Sequence, residues 1–243
     1  LIVIEDAAHA LGARYQDGSM VGSCKYSDMT GFSFHPVKSI AAGEGGMITT
    51  NNYDLYKRLL RIRSHGINKL DDTFKAEDQA FTNGIQNPWY TEMQELGFNY
   101  RITDIQCALG QSQLKKLPDF LERRKELANK YDEAFKELEN VEPIHQAFRD
   151  ISSHHLYVLR IKFKTQGLTK AELVYKLREE KILTQVHYLP VTSQPFYREL
   201  GYLTSDYPNA EEYYEEALSI PLYYSLTDSE QNKVIESIRR LLS

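Results

Sequence analysis

Cysteine is scarce in this sequence, with two in 243 residues. Cys24 and Cys107 lie far apart and fall in no metal-ligand or redox spacing, so the chain is neither a disulfide scaffold nor a cysteine-built metal centre. That usage points to a reduced, cytoplasmic protein. No apolar stretch approaches the roughly 20 residues needed to cross a bilayer, and no basic-then-apolar signal opens the chain, so no membrane partner is expected. Nor is charge of one sign concentrated. The 29 basic and 34 acidic side chains are mixed along the chain and sum to −5, which argues against a nucleic-acid surface. Internal repeats and low-complexity segments are also missing. The turn Gly43-Glu44-Gly45-Gly46 lacks the lysine and hydroxyl residue of a P-loop, and no dinucleotide-binding glycine pattern follows a strand. There is no initiator methionine, and the chain opens inside an apolar run. Upstream sequence is therefore expected to be missing, together with part of any site built on it.

Among the residues present, Lys38 carries the most information. It closes the run Phe32-Ser33-Phe34-His35-Pro36-Val37-Lys38, just before the glycine turn. Apolar surroundings disfavour the ammonium form and make a lysine amine available to a carbonyl, which is Schiff-base chemistry. A surface lysine with its stem lying on apolar neighbours is the competing reading. Upstream, Leu1-Ile2-Val3-Ile4-Glu5 reads as a buried parallel strand with Asp6 at its carboxyl end, the edge where open α/β sheets bind ligands. A pyridoxal phosphate enzyme needs a lysine for the aldehyde and an acid for the pyridine nitrogen. Lys38 and Asp6 suit those roles, although Asp6 alone also fits a turn or helix cap.

Further along, residues 47–50 read as a strand and 53–64 as a helix, while 65–98 show little periodicity and form a long functional or partner-facing loop. Thr103 with Gln106 is a capping box that opens a helix, and Pro118 breaks it or opens the next. Phe120, Leu121, Leu127, Tyr131, Phe135 and Leu138 recur at helical spacing, predicting a connecting helix over 118–140. Beyond it lies a compact α+β unit. It has a strand over 155–163, a helix from Thr169 to Lys181, a strand and loop over 182–189, a helix over 211–218, and a last helix opened by Thr227 and Glu230. Three regions follow: 1–117, 118–140 and 141–243.

Four ordered motifs now stand together: Glu5-Asp6-Ala7-Ala8-His9-Ala10, Ser33-Phe34-His35-Pro36-Val37-Lys38, Gly43-Glu44-Gly45-Gly46 and Asn99-Tyr100-Arg101-Ile102-Thr103-Asp104-Ile105-Gln106. They resemble the pyridoxal phosphate sugar aminotransferases, over essentially the whole chain. The resemblance implies the aspartate-aminotransferase-like, fold-type I architecture: an α/β chain with a mostly parallel sheet flanked by helices and a smaller α+β C-terminal domain. Region 1–117 would be the C-terminal part of the large cofactor-binding domain. Trp89 to Arg101, Gln185-Val186-His187-Tyr188 and Ile220-Pro221-Leu222 are similar to the transaminases of pseudaminic acid biosynthesis. Those act on C4 of a UDP-linked 4-keto-6-deoxy-N-acetylhexosamine, with L-glutamate the expected amino donor.

The resemblance also implies roles for single residues. Lys38 would hold the cofactor and carry the proton, and Asp6 would face the pyridine nitrogen. His9 would sit beside the ring, with a hydrogen-bonded core histidine as the alternative. Ser33 would bind the phosphate, against a loop serine satisfying local backbone. Asn99 would reach the cofactor of a neighbouring subunit, which makes the partner a second copy in a homodimer with shared active sites; a local cap is the plainer role. Gln185, Val186, His187 and Tyr188 would line the nucleotide-sugar pocket, against a half-buried strand with alternating polarity. Arg101, Trp89 and Tyr90 stay between site and packing roles. No metal is implied. Two other functions compete: a related deoxy-sugar dehydratase, whose branch carries histidine where Lys38 stands, and a non-catalytic fragment that keeps the fold.

Overall fold

A computed structural model describes residues 1–68, 73–144 and 146–242. The chain divides into two compact units, Leu1–Lys115 and Lys116–Ser243. In the first, β1 (Ile4–Asp6) runs parallel to β2 (Met29–Ser33), with Ile4 opposite Met29 and Asp6 opposite Gly31. β3 (Gly46–Thr49) joins the other side of β2 antiparallel, placing Gly46 opposite Ser33. The expected buried strand over residues 1–5 needs correction, because Ile4 is 68 % exposed and Leu1 and Ile2 are more open or similar. β1 is an edge strand, paired only with β2 among the described residues, so its apolar side chains lack the cover a central parallel strand receives.

α1 (Tyr53–Ile62) starts where Asn52 Oδ1 accepts from the Asp54 and Leu55 amides at 2.9 and 3.1 Å. The aperiodic stretch after it is built from short pieces: β4 (Ile67–Asn68), α2 (Glu77–Ala80), β5 (Phe81–Thr82), β6 (Ile85–Gln86) and β7 (Glu92–Met93). Residues 69–72 of that stretch lie outside the described residues. Glu92 gathers it, accepting from Gln94 Nε2 at 2.6 Å and from the Lys75 and Ala76 amides. These donors hold its carboxyl down at about 2. α3 (Asp104–Leu114) then begins at the anticipated Thr103–Gln106 capping box.

The second unit opens with α4 (Leu117–Phe135), where Pro118 sits in the first turn, as its fixed φ and missing N–H allow. β8 (Val141–Pro143), β9 (Tyr157–Ile161) and β10 (Ala217–Ile220) form an antiparallel sheet in the order β10-β9-β8. α5 (Lys170–Glu179), α6 (Pro195–Glu199), α7 (Pro208–Glu216) and α8 (Asp228–Leu242) complete it. Its core takes Leu127, Tyr131 and Phe135 from α4, the alternating Tyr157, Leu159 and Ile161 of β9, Leu173 and Leu177 of α5, and Val234 and Ile238 of α8. The helical periodicity that marked a connecting helix is thus the face α4 buries in this core. Two expectations shift here. Ala217 and Leu218 leave the helix and enter β10, whose four residues are all buried, and the strand over 182–189 contracts to a bridge between Gln185 and Ser219. Among the described residues no helix is long and apolar enough to cross a membrane.

His154 makes this unit acid-sensitive. Its ring is 2 % exposed, and burial, with the Arg149 guanidinium nearby, pushes its pKa below the ordinary histidine value; Asp132 opposes and Lys125 adds to that effect. The unfolded chain therefore binds a proton at this ring before the folded one does, so stability is expected to fall as pH drops below about 6.5. His154 sits at φ +47°, which asparagine tolerates. Urea midpoints at pH 7.5 and 5.5 should differ less for His154→Asn than for the wild type. An equal pH dependence would remove His154 as the cause.

Candidate active site

The first unit assembles its polar groups at one end of the parallel pair. Because β1 and β2 run the same way in register, Asp6 and Ser33 both emerge at carboxyl ends, and the ladder extends one step further through the Ala7 amide to the Gly31 carbonyl at 2.9 Å. Asp6 Oδ1 accepts from the Ala8 amide at 3.0 Å, the Asx-turn anticipated for an aspartate here, and the side chain is exposed. Its neighbour Glu5 points to the opposite face, where Tyr15 Oη donates to it and Thr30 Oγ1 donates at 3.0 Å. Burial and that bond to Glu5 push the Tyr15 phenol up to about 12. The face carrying Asp6 is thereby fixed by anchors on the other side of the strand.

Lys38 is carried on a loop that closes on itself. Phe34 N donates to Gly45 O and Ala42 N to Phe34 O, both at 2.9 Å, while Lys38 N donates to His35 O. Phe34, Ser39, Ile40 and Ala42 are buried, whereas Pro36 and Val37 face outward and Lys38 is half-buried. Lys38 makes no ion pair among the described residues, so no carboxylate holds its amine. Ser33 Oγ accepts from the His35 amide at 3.4 Å, which satisfies local backbone and leaves the hydroxyl proton available to donate. β3 approaches so closely that a Cβ on Gly46 would stand 2.4 Å from the Phe32 carbonyl oxygen. His9 is exposed in the turn closed by Ala10 N to Ala7 O.

Asn99 belongs to the same unit, on a segment laced to the end of α1. Phe98 N donates to Ile62 O at 2.7 Å, His65 N to Phe98 O at 2.8 Å and Tyr100 N to Arg63 O at 2.9 Å. The Asn99 side chain is exposed, and no hydrogen bond among the described residues joins it to Asp6, Ser33 or Lys38. Gln185, Val186, His187 and Tyr188 lie in the second unit. Gln185 and Ser219 exchange backbone hydrogen bonds at 3.0 and 2.8 Å, and His187 Nδ1 is 2.7 Å from Ser219 Oγ. Gln185, Val186 and His187 line a groove of about 730 Å³, and Tyr188, 65 % exposed, lies outside it. Two further groove residues, Lys170 and Arg178 on α5, were not singled out from the sequence, where they read as ordinary solvated helix charges. Among the described residues no group of histidines, cysteines and carboxylates is arranged to hold a metal.

The sequence profile of the DegT/DnrJ/EryC1/StrS aminotransferases matches residues 1–239. The chain belongs to that family. As a DegT-family chain it is 39 % identical over 246 residues to the spore coat polysaccharide biosynthesis protein SpsC of Bacillus subtilis, an alignment covering all of this chain and 60 % of that protein. It is 35 % identical to the UDP-4-amino-4,6-dideoxy-N-acetyl-beta-L-altrosamine transaminase of Helicobacter pylori, over 96 % of this chain and 56 % of the relative. Among solved structures, Helicobacter pylori PseC, an aminotransferase involved in the biosynthesis of pseudoaminic acid, superposes with a TM-score of 0.82 at 32 % identity, covering 98 % of this chain and 59 % of that one. The putative sugar aminotransferase Spr1654 of Streptococcus pneumoniae, in its PLP-form, gives 0.82 at 28 % identity over 100 % of this chain and 59 % of that one. The DegT-family chain thus spans about three-fifths of the length of these relatives. Its fold is that of the fold-type I, pyridoxal phosphate-dependent aminotransferases, an α/β architecture. An amine, a carboxylate and a hydroxyl on neighbouring strand ends and loop offer one group each to suit the aldehyde, ring nitrogen and phosphate of that cofactor.

Proposed function

We propose that the protein is a pyridoxal phosphate-dependent aminotransferase that moves an amino group from L-glutamate to C4 of a nucleotide-linked 4-keto-6-deoxy sugar, a UDP-linked N-acetylhexosamine of the pseudaminic acid type. The observation that carries this reading is the convergence of Asp6, Ser33 and the Lys38 loop at one end of the β1–β2 pair. The names of the Helicobacter and Campylobacter relatives, transaminases of a UDP-linked dideoxy-N-acetyl sugar, supply the substrate class.

In this reading Lys38 Nζ forms the covalent link to the cofactor, Asp6 pairs with its ring nitrogen, Ser33 donates to its phosphate and His9 lies beside the ring. The cofactor, when bound, supplies an electron sink for the donor's Cα. Lys38 would do the protein's part of the chemistry: its free Nζ would take the proton from Cα of the donor and would deliver a proton to C4 of the sugar in the reverse half. Asn99 completes the site of a second copy, which makes the working form a homodimer. Gln185, Val186, His187 and Tyr188 contact the nucleotide-sugar, whose hydroxyls and faces suit mixed polar and aromatic neighbours. Free Cys24 and Cys107 suit a cytoplasmic setting.

The test is amino transfer from glutamate across a panel of UDP- and dTDP-linked 4-keto-6-deoxy sugars. The expected result is an amino sugar from the UDP-linked N-acetyl substrate at a higher kcat/KM than from its dTDP counterparts. Turnover of none of them, or elimination of a sugar hydroxyl in place of amination, would sink the proposal.

A further inference from the structure

Among the described residues three capping boxes open helices, and one of them differs from the other two. Thr169 pairs with Glu172 and Thr227 with Glu230, each glutamate accepting from the backbone amide and the hydroxyl of its threonine. At α3 the equivalent residue is Gln106, whose Oε1 accepts from Thr103 N at 3.1 Å and from Thr103 Oγ1 at 2.9 Å. Capping needs only that oxygen, and glutamate serves it equally well. The amide NH₂ is therefore surplus to the cap. It is used: Gln106 Nε2 donates at 2.7 Å to the carbonyl of Glu44, 62 positions away, in the turn that closes the Lys38 loop. Because Thr103 N can only donate and Glu44 O can only accept, the amide cannot flip without losing both bonds, and its NH₂ is held on Glu44.

The turn it grips is built on glycines. Gly43 and Gly45 flank Glu44 at φ +81° and +141°, where only glycine is at ease, and Gly45 lies so near the residue before the α3 cap that a Cβ there would be 2.9 Å from Ile102 Cδ1. From this turn, Gly45 O accepts the Phe34 amide, and Phe34 O in turn accepts Ala42 N, so the base of the lysine loop is set by where Glu44 is held.

We propose that Gln106 is a positioning residue for Lys38, acting by clamping the Glu44 carbonyl while it caps α3. The inference rests on the reading of Lys38 as the cofactor lysine, and the experiment separates the two. Gln106→Glu keeps the cap and turns the clamp's donor into an acceptor facing a carbonyl. In the unloaded protein, hydrogen exchange of the Phe34 and Ala42 amides should quicken about three- to tenfold, the change expected for one net hydrogen bond, while the first-turn amides of α3 stay as protected as in the wild type. After incubation with pyridoxal phosphate and borohydride, peptide mapping should show selectivity for Lys38 over other lysines falling by a similar factor. Unchanged exchange at Phe34 and Ala42, or protection lost in α3 to the same degree, would overturn the role of Gln106. Absence of trapping at Lys38 in the wild type would instead defeat the cofactor reading, and the exchange data would still decide the clamp.

Discussion

Lys38→Ala is expected to abolish the visible absorbance of bound pyridoxal phosphate and to lower the proposed amino transfer by on the order of 10⁴-fold, the upper end of what a single positioned proton carrier contributes. The effect is chemical and not structural. Lys38 is half-buried, among the described residues its one hydrogen bond runs from its backbone amide to His35 O, and alanine keeps that bond. The variant should therefore unfold at the same urea concentration as the wild type while losing its colour. Lys38→Arg sharpens the comparison, since it retains a cation of similar length but has no amine that can become nucleophilic at neutral pH. Persistent absorbance in Lys38→Ala would move the cofactor link to another residue.

Arg124→Leu is expected to destabilise the second unit by about 1–3 kcal/mol, the cost of leaving buried polar groups without their hydrogen-bond partner. Arg124 is 6 % exposed and makes no ion pair among the described residues. Burial pushes its pKa below the ordinary guanidinium value. Its Nη1 instead donates to three carbonyls, His154 O at 3.2 Å, His155 O at 3.1 Å and Leu222 O at 3.0 Å. One side chain thus ties the chain entering β9 and the chain leaving β10 to α4. Two turns along the same face of α4, Tyr131 Oη donates to Pro221 O at 2.9 Å and reinforces the same seam. Leucine matches the apolar stem but leaves three buried acceptors without a donor, so the penalty should exceed that of a lost surface ion pair several-fold. Urea unfolding followed in the second unit would measure it. A loss under about 1 kcal/mol would mean that water replaces the guanidinium, and the seam would not be its work.

The motif-bearing stretches were the legible part of this protein. Capping boxes at Thr103, Thr169 and Thr227 announce helices because the cap is local: two residues three apart satisfy each other whatever lies around them. Lys38 and Asp6 were visible for a similar reason, as a lysine in an apolar loop and an acid ending an apolar strand. What local pattern could not supply was burial set by distant neighbours. Leu1 to Ile4 read as buried because their composition suits a central strand, yet among the described residues β1 pairs with β2 alone and these side chains are exposed. Ala217 and Leu218 continue the helical pattern of α7, but pairing with β9 and the Gln185–Ser219 bridge draws them into a sheet. The second hydrogen bond of Gln106 was hidden for the same reason, since nothing near position 106 hints at position 44.

The core of the second unit is drawn from residues between Leu127 and Leu242 alone. A recombination point near Lys115 and Lys116 would therefore cut no apolar cluster of that unit, and the lysine loop with its clamp would be inherited whole on the other side. The segment bearing Gln185 to Tyr188 would travel with that core as one block.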